Sequence, residues 1–173
     1  MRNEFLSMRN KIPKGEVLER SKKIINNLIA LKEYNESRTI MYYVSFNNEV
    51  YTHDIIKKEL KQRKIAIPKV VNQEIEPSLI IDFGNLISTG KFGILEPIEL
   101  LKVSYKNIDS VILPGLVFDK KGNRIGYGYG HYDKFLGKVK HAVKIGLAYD
   151  FQIVDEVPND KHDVPVDFIV SEK

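Results

Sequence analysis

Between Leu113 and Leu136 the chain reads LPGLVFDKKGNRIGYGYGHYDKFL, and six of its 11 glycines fall between Gly115 and Gly137. Gly126, Gly128 and Gly130 alternate with bulkier residues, a pattern that lets backbone N–H groups turn toward one point and a polyanion approach the main chain. Arg124 stands just before these glycines and Asp133 just after them. A guanidinium, a ring of amides and a carboxylate suited to Mg2+ are together what a nucleoside triphosphate requires, so these residues point to an ATP-using enzyme. Only six of the 27 basic residues are arginine, and Arg124 is the only one after Arg63. A guanidinium grips two phosphate oxygens in a fixed fork that lysine cannot copy, although a water-facing arginine in a hairpin turn is the plainer alternative.

The elements that must position these groups alternate in type. Residues 2–12 predict a short helix interrupted by Pro13, and a longer helix follows from Glu16 to Lys32. Its apolar set, Val17, Leu18, Ile24, Ile25, Leu28, Ile29 and Leu31, has helical spacing and is expected to face the core. Thr39–Ser45 reads as a strand, and Thr52 as the N-cap of a helix through Lys61 with Asp54 in its first turn. Short Ile/Val-rich runs at Ile65–Ile67, Leu79–Phe83, Ser110–Leu113, Val143–Ala148 and Phe168–Val170 predict buried strands. Strands alternating with helices imply a three-layer α/β/α sandwich with a mainly parallel sheet. A helix from His131 to Leu136 would start where the glycine loop ends and aim its N-terminal amides at the same anion. Ligand residues in such folds gather at the carboxyl ends of strands, which suits Glu49 and Arg124.

Composition narrows the class. At 173 residues the chain fits one domain, residues 1–173, with no repeat, low-complexity tract or internal linker. It contains no cysteine, which excludes disulfides, thiolate catalysis, zinc–thiolate sites and iron–sulfur clusters. The first residues, MRNEFLSMRNKIPK, carry charge throughout and resemble neither a signal peptide nor a membrane span, so a cytoplasmic protein is expected. A net charge of +4 from dispersed lysines is too small an excess to imply a nucleic-acid groove.

Two common nucleotide motifs are absent: a dinucleotide fingerprint needs glycine where His131 stands, and a P-loop needs Gly-Lys-Ser/Thr. Gly-x-Gly-x-Gly alone also fits a tight turn plugged by aromatics. The full string is more specific, and it closely resembles the signature of the 5-formyltetrahydrofolate cyclo-ligases (5,10-methenyltetrahydrofolate synthetases), approximately PGxxFDxxGxRLGxGxGYYDxxL. Pro114, Gly115, Phe118, Asp119, Gly122, Arg124, Gly126, Gly128, Gly130, Tyr132, Asp133 and Leu136 carry it here. Arg2, the segment YVSFNNEVYT from Tyr43 to Thr52, the run from Phe92 to Pro97 and the tail HDVPVDFIVSE from His162 to Glu172 extend the resemblance along nearly the whole chain. The chain departs from the family pattern at His131, where an aromatic is usual, and at Tyr129, where glycine or lysine is frequent.

The resemblance implies a fold similar to the NagB/RpiA/CoA-transferase group and ATP- and Mg2+-dependent conversion of 5-formyltetrahydrofolate to 5,10-methenyltetrahydrofolate, ADP and phosphate. By matching positions, Arg2, Arg124, Ile125, Gly126, Tyr127, Gly128, Tyr129, Gly130, His131 and Tyr132 would contact ATP. Val44 and Glu49 would contact the reduced folate, with Tyr127, Gly128, Tyr129, Gly130 and His131 shared between the ligands. Asp133 and Asp163 would reach Mg2+, and Arg124 and Glu49 would be catalytic, Glu49 either binding pterin amino groups or handling a proton near N10. Phe92 and Ile94 read as core or pocket wall, and Lys120 as a solvated turn lysine that could assist. The pair His162-Asp163 matches the His-Asp dipeptide of some metal-dependent hydrolases, but His53 and His141 lack the spacing for further ligands, which rejects that reading. The rivals are an enzyme of the same fold acting on another formylated pterin or small amide, and a non-catalytic RNA-binding module, which lacks the expected basic–aromatic interleaving. Partners are expected to be the two small molecules, with no nucleic acid or membrane, and the protein a monomer.

Overall fold

In chain order, α1 (Arg2–Asn10), α2 (Lys14–Ala30) and α3 (Lys32–Glu36) precede β1 (Thr39–Tyr42), and α4 (His53–Glu59) leads to β2 (Lys64–Val71) and β3 (Glu74–Ile80). There follow β4 (Leu86–Thr89), β5 (Ile94–Pro97), β6 (Ser110–Leu113), β7 (Val117–Asp119), β8 (Arg124–Ile125), α5 (His131–Lys138), β9 (Val143–Leu147), β10 (Ile153–Val154) and β11 (Phe168–Val170). The structure, a computed structural model, describes residues 1–89 and 93–173. The expectation for Phe92 therefore lies outside the described residues, whereas Ile94 is half-buried on β5.

Six strands form one sheet in the order β11-β9-β6-β1-β2-β3, parallel throughout except where β3 returns antiparallel to β2. Alternation along each strand sends side chains to two faces. Ile40, Tyr42, Ile65, Ile67, Ile112 and Ile145 join Ile24 and Leu28 of α2 and Ile55 and Ile56 of α4 on one face. Met41, Ala66, Val111 and Leu113 join Phe135 and Leu136 of α5 on the other. This is the expected α/β/α sandwich, and each fully buried aliphatic side chain adds roughly 1.5–3 kcal/mol of transfer free energy. After β1 the chain crosses toward β2 on one side, while β6 lies on the other. The crevice at the carboxyl ends of β1 and β6 is thus a topological switch point, where open α/β sheets take their ligands.

Four local expectations need correction. Leu18 is exposed, so the buried stripe of α2 is narrower than its apolar content. The long helix ends at Ala30, because Leu31 is extended (φ −70°, ψ 131°), and α3 starts afresh. The expected strand Leu79–Phe83 is instead the end of the hairpin strand β3, with Phe83–Asn85 in a short 3-10 turn. Thr52 occupies the N-cap position of α4 but does not cap it, since its hydroxyl donates to the carbonyl of Tyr43 (2.9 Å) and accepts from the amide of Ser45 (3.0 Å).

A smaller sheet, β10-β7-β8, stands beyond β6 and frames the glycine loop. Its base is a clasp around the Phe118 ring: a Cβ on Gly115 or on Gly146 would lie 2.4 or 2.5 Å from opposite edges of that ring. Its tip is the turn from Asp119 to Arg124, organised by the Asp119 carboxylate. That fully buried group accepts from the amides of Lys121 (2.9 Å), Asn123 (3.0 Å) and Val157 (3.2 Å) and from Asn123 Nδ2 (2.9 Å). Burial pushes its acidity down, but these donors outweigh burial and hold its pKa below the ordinary value. Gly122 has φ +87°, and a Cβ there would meet the Val166 carbonyl oxygen at 2.2 Å. The turn therefore presses directly on the tail that precedes β11.

Candidate active site

Two loops meet at the switch point. The first continues from β1 through residues 43–52. Ser45 and Thr52 exchange reciprocal backbone–hydroxyl bonds of 3.0 Å, and the Tyr43 hydroxyl donates to the carbonyl of Val50 (2.8 Å). These staples fold the segment back on itself and turn Glu49 inward, where it is 4 % exposed. Glu49 Oε2 accepts from the amide of Phe46 (3.1 Å), and Oε1 accepts from the Tyr127 hydroxyl (3.1 Å). Burial raises its pKa from 4.5 to about 7, against the opposing pull of Arg9, the Phe46 amide and Tyr127. Tyr127 responds in turn: burial, then the neighbouring carboxylate, push its phenol up to about 12. Val44 follows β1 in the same loop with its side chain buried in the core, which leaves its backbone as the part open to a ligand.

The second loop runs from Gly126 to Gly130. Among the described residues, none of its five amides donates a backbone hydrogen bond within the protein. Gly128 has φ +96°, a conformation that turns its peptide away from the strand path. Gly130 ends the loop as the N-cap of α5 without a side-chain cap, leaving the first amides of that helix free as well. Arg2 lies against this loop: its Nε donates to the Gly126 carbonyl (2.9 Å), and its guanidinium covers the place a Gly128 Cβ would take, 3.2 Å away. Free amides, a helix N-terminus and a guanidinium lying together are the groups from which anion sites are built. Tyr129 is exposed and stacks on His131 (centroids 5.6 Å apart), while Tyr127 packs on Phe46 (5.7 Å). Tyr132 is turned under the loop between the two layers, with its phenol pKa raised first by burial and then by Glu49.

Arg124 sits lower than its place in the sequence suggests. Its side chain is 6 % exposed, and its fork is engaged within the protein: one nitrogen donates to the Val164 carbonyl (2.5 Å), the other to Asp133 Oδ1 (2.8 Å). The same Asp133 oxygen accepts from the amide of Val164 (3.1 Å). Arg124 and Asp133 together hold Val164, and with it the tail that carries Asp163, against the start of α5. Asp163 Oδ2 accepts from the amide of Asp160 (2.8 Å). Among the described residues no group of three or more His, Cys, Asp or Glu side chains forms a metal cluster. Asp133 and Asp163 each keep one carboxylate oxygen without a protein hydrogen bond there. Such a set suits Mg2+, which takes one or two protein carboxylates and fills its remaining positions with water and phosphate.

Sequence reasoning passed over Arg9, which is 1 % exposed and donates to the Tyr127 hydroxyl while its other terminal nitrogen lies 3.8 Å from Glu49 Oε1. The signal was present: Arg2 and Arg9 are seven apart, two turns of one helix face. Tyr149 was missed too, and its hydroxyl donates to the Glu49 carbonyl (3.3 Å).

A mainly parallel, two-faced sheet with an open glycine loop beside a buried carboxylate at its switch point is the architecture of an α/β protein with a candidate active site between those two loops. The sequence matches the 5-formyltetrahydrofolate cyclo-ligase family over residues 1–172. It is 35 % identical to 5-formyltetrahydrofolate cyclo-ligase of Mus musculus, over 91 % of this chain and 84 % of that one. The 5,10-methenyltetrahydrofolate synthetase of Aquifex aeolicus superposes with a TM-score of 0.89 at 35 % identity, covering 99 % of this chain and 88 % of that one. The corresponding synthetase from Mycoplasma pneumoniae gives 0.80 at 28 % identity, over 99 % and 96 %. The chain belongs to the 5-formyltetrahydrofolate cyclo-ligase family. As a member it is an enzyme, a ligase of folate one-carbon metabolism. Among the described residues no helix is long and apolar enough to cross a membrane.

Proposed function

We propose that this enzyme cyclises 5-formyltetrahydrofolate to 5,10-methenyltetrahydrofolate at the expense of ATP, with Mg2+, releasing ADP and phosphate. One observation carries the reading: Tyr127, inside the glycine loop, donates to the buried Glu49, so the phosphate-binding loop and the carboxylate share a wall. A formamide carbon is a poor electrophile because the N5 lone pair is delocalised into its carbonyl. Attack of the formyl oxygen on the γ-phosphorus of ATP displaces ADP and leaves an imidate-like phosphate. N10 then attacks the activated carbon and loses its proton, and phosphate departs with the former formyl oxygen.

The chain's residues divide these tasks. The Gly126–Gly130 amides, the N-terminus of α5 and the open side of the Arg2 guanidinium hold the phosphates in line. Tyr129 and His131, stacked at the lip, and Ile125 and Tyr132 beneath, complete the nucleotide side. Val44 and Glu49 face the folate, and a Glu49 carboxyl titrating near neutral pH suits acceptance of the N10 proton. Arg124 serves the site from below by fixing Asp133 and the tail. Asp133 and Asp163 would hold Mg2+, which when bound would neutralise phosphoryl charge.

Purified protein is expected to form the methenyl chromophore only when 5-formyltetrahydrofolate, ATP and Mg2+ are all supplied. Asp133→Asn, which can still accept from Val164, is expected to raise the Mg2+ concentration needed for half-maximal turnover. Turnover without ATP, or none from a folded sample, rejects the reading.

A further inference from the structure

Helix α1 touches both halves of the site at once. At its start Arg2 bonds the Gly126 carbonyl, and at its end Arg9 reaches the Tyr127 hydroxyl and Glu49. Seven residues of α-helix rise about 10 Å, so one rigid rod spans the gap between the phosphate loop and the folate-side carboxylate. Asn48, the neighbour of Glu49, closes the arrangement: its Nδ2 donates to the carbonyls of Arg9 (3.0 Å) and Ile12 (2.8 Å) at the end of that helix. Arg9 also lies over the Tyr127 ring, 5.7 Å from its centroid.

We propose that Arg9 is a positioning residue for the reaction, holding Glu49 and Tyr127 as one set and tying it, through the helix shared with Arg2, to the glycine loop. The inference rests on the reading of function given above. Stability does not explain the residue. A buried ion pair gives little net stabilisation over apolar side chains of similar volume, and Arg9 Nε is buried without a hydrogen-bond partner. Its charge acts on Glu49 instead. The other titratable groups turned toward Glu49 are phenols, Tyr43 just after β1, Tyr127 in the loop, Tyr132 in α5 and Tyr149, which leaves Arg9, among the described residues, as the cation that opposes desolvation of the carboxylate. Without it Glu49 would stay protonated at neutral pH and lose the ability to take a proton.

The test compares the full-length wild type with Arg9→Met and Arg9→Lys, measuring kcat and kcat/KM for 5-formyltetrahydrofolate across pH at saturating ATP and Mg2+. Arg9→Met is expected to move the acid limb of kcat/KM upward by about 1–3 pH units, with activity recovering at alkaline pH. Arg9→Lys is expected to keep the limb near its wild-type position while kcat falls by about tenfold, since the charge stays and the bond to Tyr127 is lost. A uniformly lower Arg9→Met profile with an unmoved limb would mean a purely structural role and overturns the proposal. If Arg9→Met does not fold, a wild-type kcat in Arg9→Lys overturns it equally. A folded wild type with no turnover rejects the function itself, whereas an active wild type with an unmoved Arg9→Met limb rejects only the role of Arg9.

Discussion

Asp119 and Glu49 are both buried acids, yet their surroundings differ. Asp119 has four hydrogen bonds from the protein, and its pKa is depressed despite burial. Glu49 has two, plus a cation at 3.8 Å, and burial wins, raising its pKa to about 7. Burial alone therefore does not mark a reactive acid. Glu49 is also the more heavily desolvated of the two, so heavier desolvation and fewer donors act together on it, and the bonds it lacks are ones a substrate can supply. The same contrast separates the two stretches of the glycine-rich string. Residues 119–124 satisfy one another and build a frame, while the amides of residues 126–130 are left open by that frame.

The sharpest way to break the comparison is to remove the frame. Asp119→Ala would orphan three backbone amides and the Asn123 side chain, and a loss of about 4 kcal/mol or more is expected in chemical denaturation. A variant as stable as wild type would show that the turn holds without its acid. Next come two glycines of the string that look alike in sequence. Gly122→Ala meets both a left-handed φ and a backbone oxygen that cannot retreat, which predicts a loss of about 3 kcal/mol. Gly126→Ala meets nothing within 4 Å, so stability should change by less than about 0.5 kcal/mol while KM for ATP rises. Equal melting temperatures for these two variants would erase the division between frame and loop.

The smallest effect is one of sign. Glu49 is raised above its unfolded value, so the stability it contributes relative to Glu49→Gln should be fullest below pH 4.5 and fade as pH rises through about 7. Asp119 is depressed, so its contribution relative to Asp119→Asn should be present above pH 3.8 and fade as pH falls further. Thermal unfolding of the two pairs across pH reads both slopes, and slopes of the same sign would contradict the contrast.

Much of the architecture could be read from short Ile/Val runs, because parallel strands buried on both faces leave little room for other residues. Hairpin strand β3 escaped, since EIEPSLI mixes charge and proline. Its turn at Asn72 and Gln73, both at positive φ, lacks the glycine that usually announces it. The loop and Glu49 were legible because each carries its chemistry within a few residues. Arg9 was only half legible: its seven-residue spacing puts it on the helix face of Arg2, but its partners lie 40 and 118 residues away, so the spacing does not show that it turns inward onto them. The depth of Arg124 was hidden in part for the same reason: one acceptor, Asp133, is nine residues away in α5, but the other, the Val164 carbonyl, is brought there by the fold of the tail.

The clasp on Phe118 bears on how this sequence can drift. Gly115 and Gly146 press on opposite edges of one ring, so the three positions act as a single letter written in three places. A library that varies them one at a time will return only losses: a methyl at either glycine collides with the ring, and a smaller residue at 118 leaves a void. Pairing a smaller side chain at 118 with alanine at 115 or 146 exchanges one filled volume for another. Viable alternatives to this motif therefore lie two simultaneous changes away rather than one.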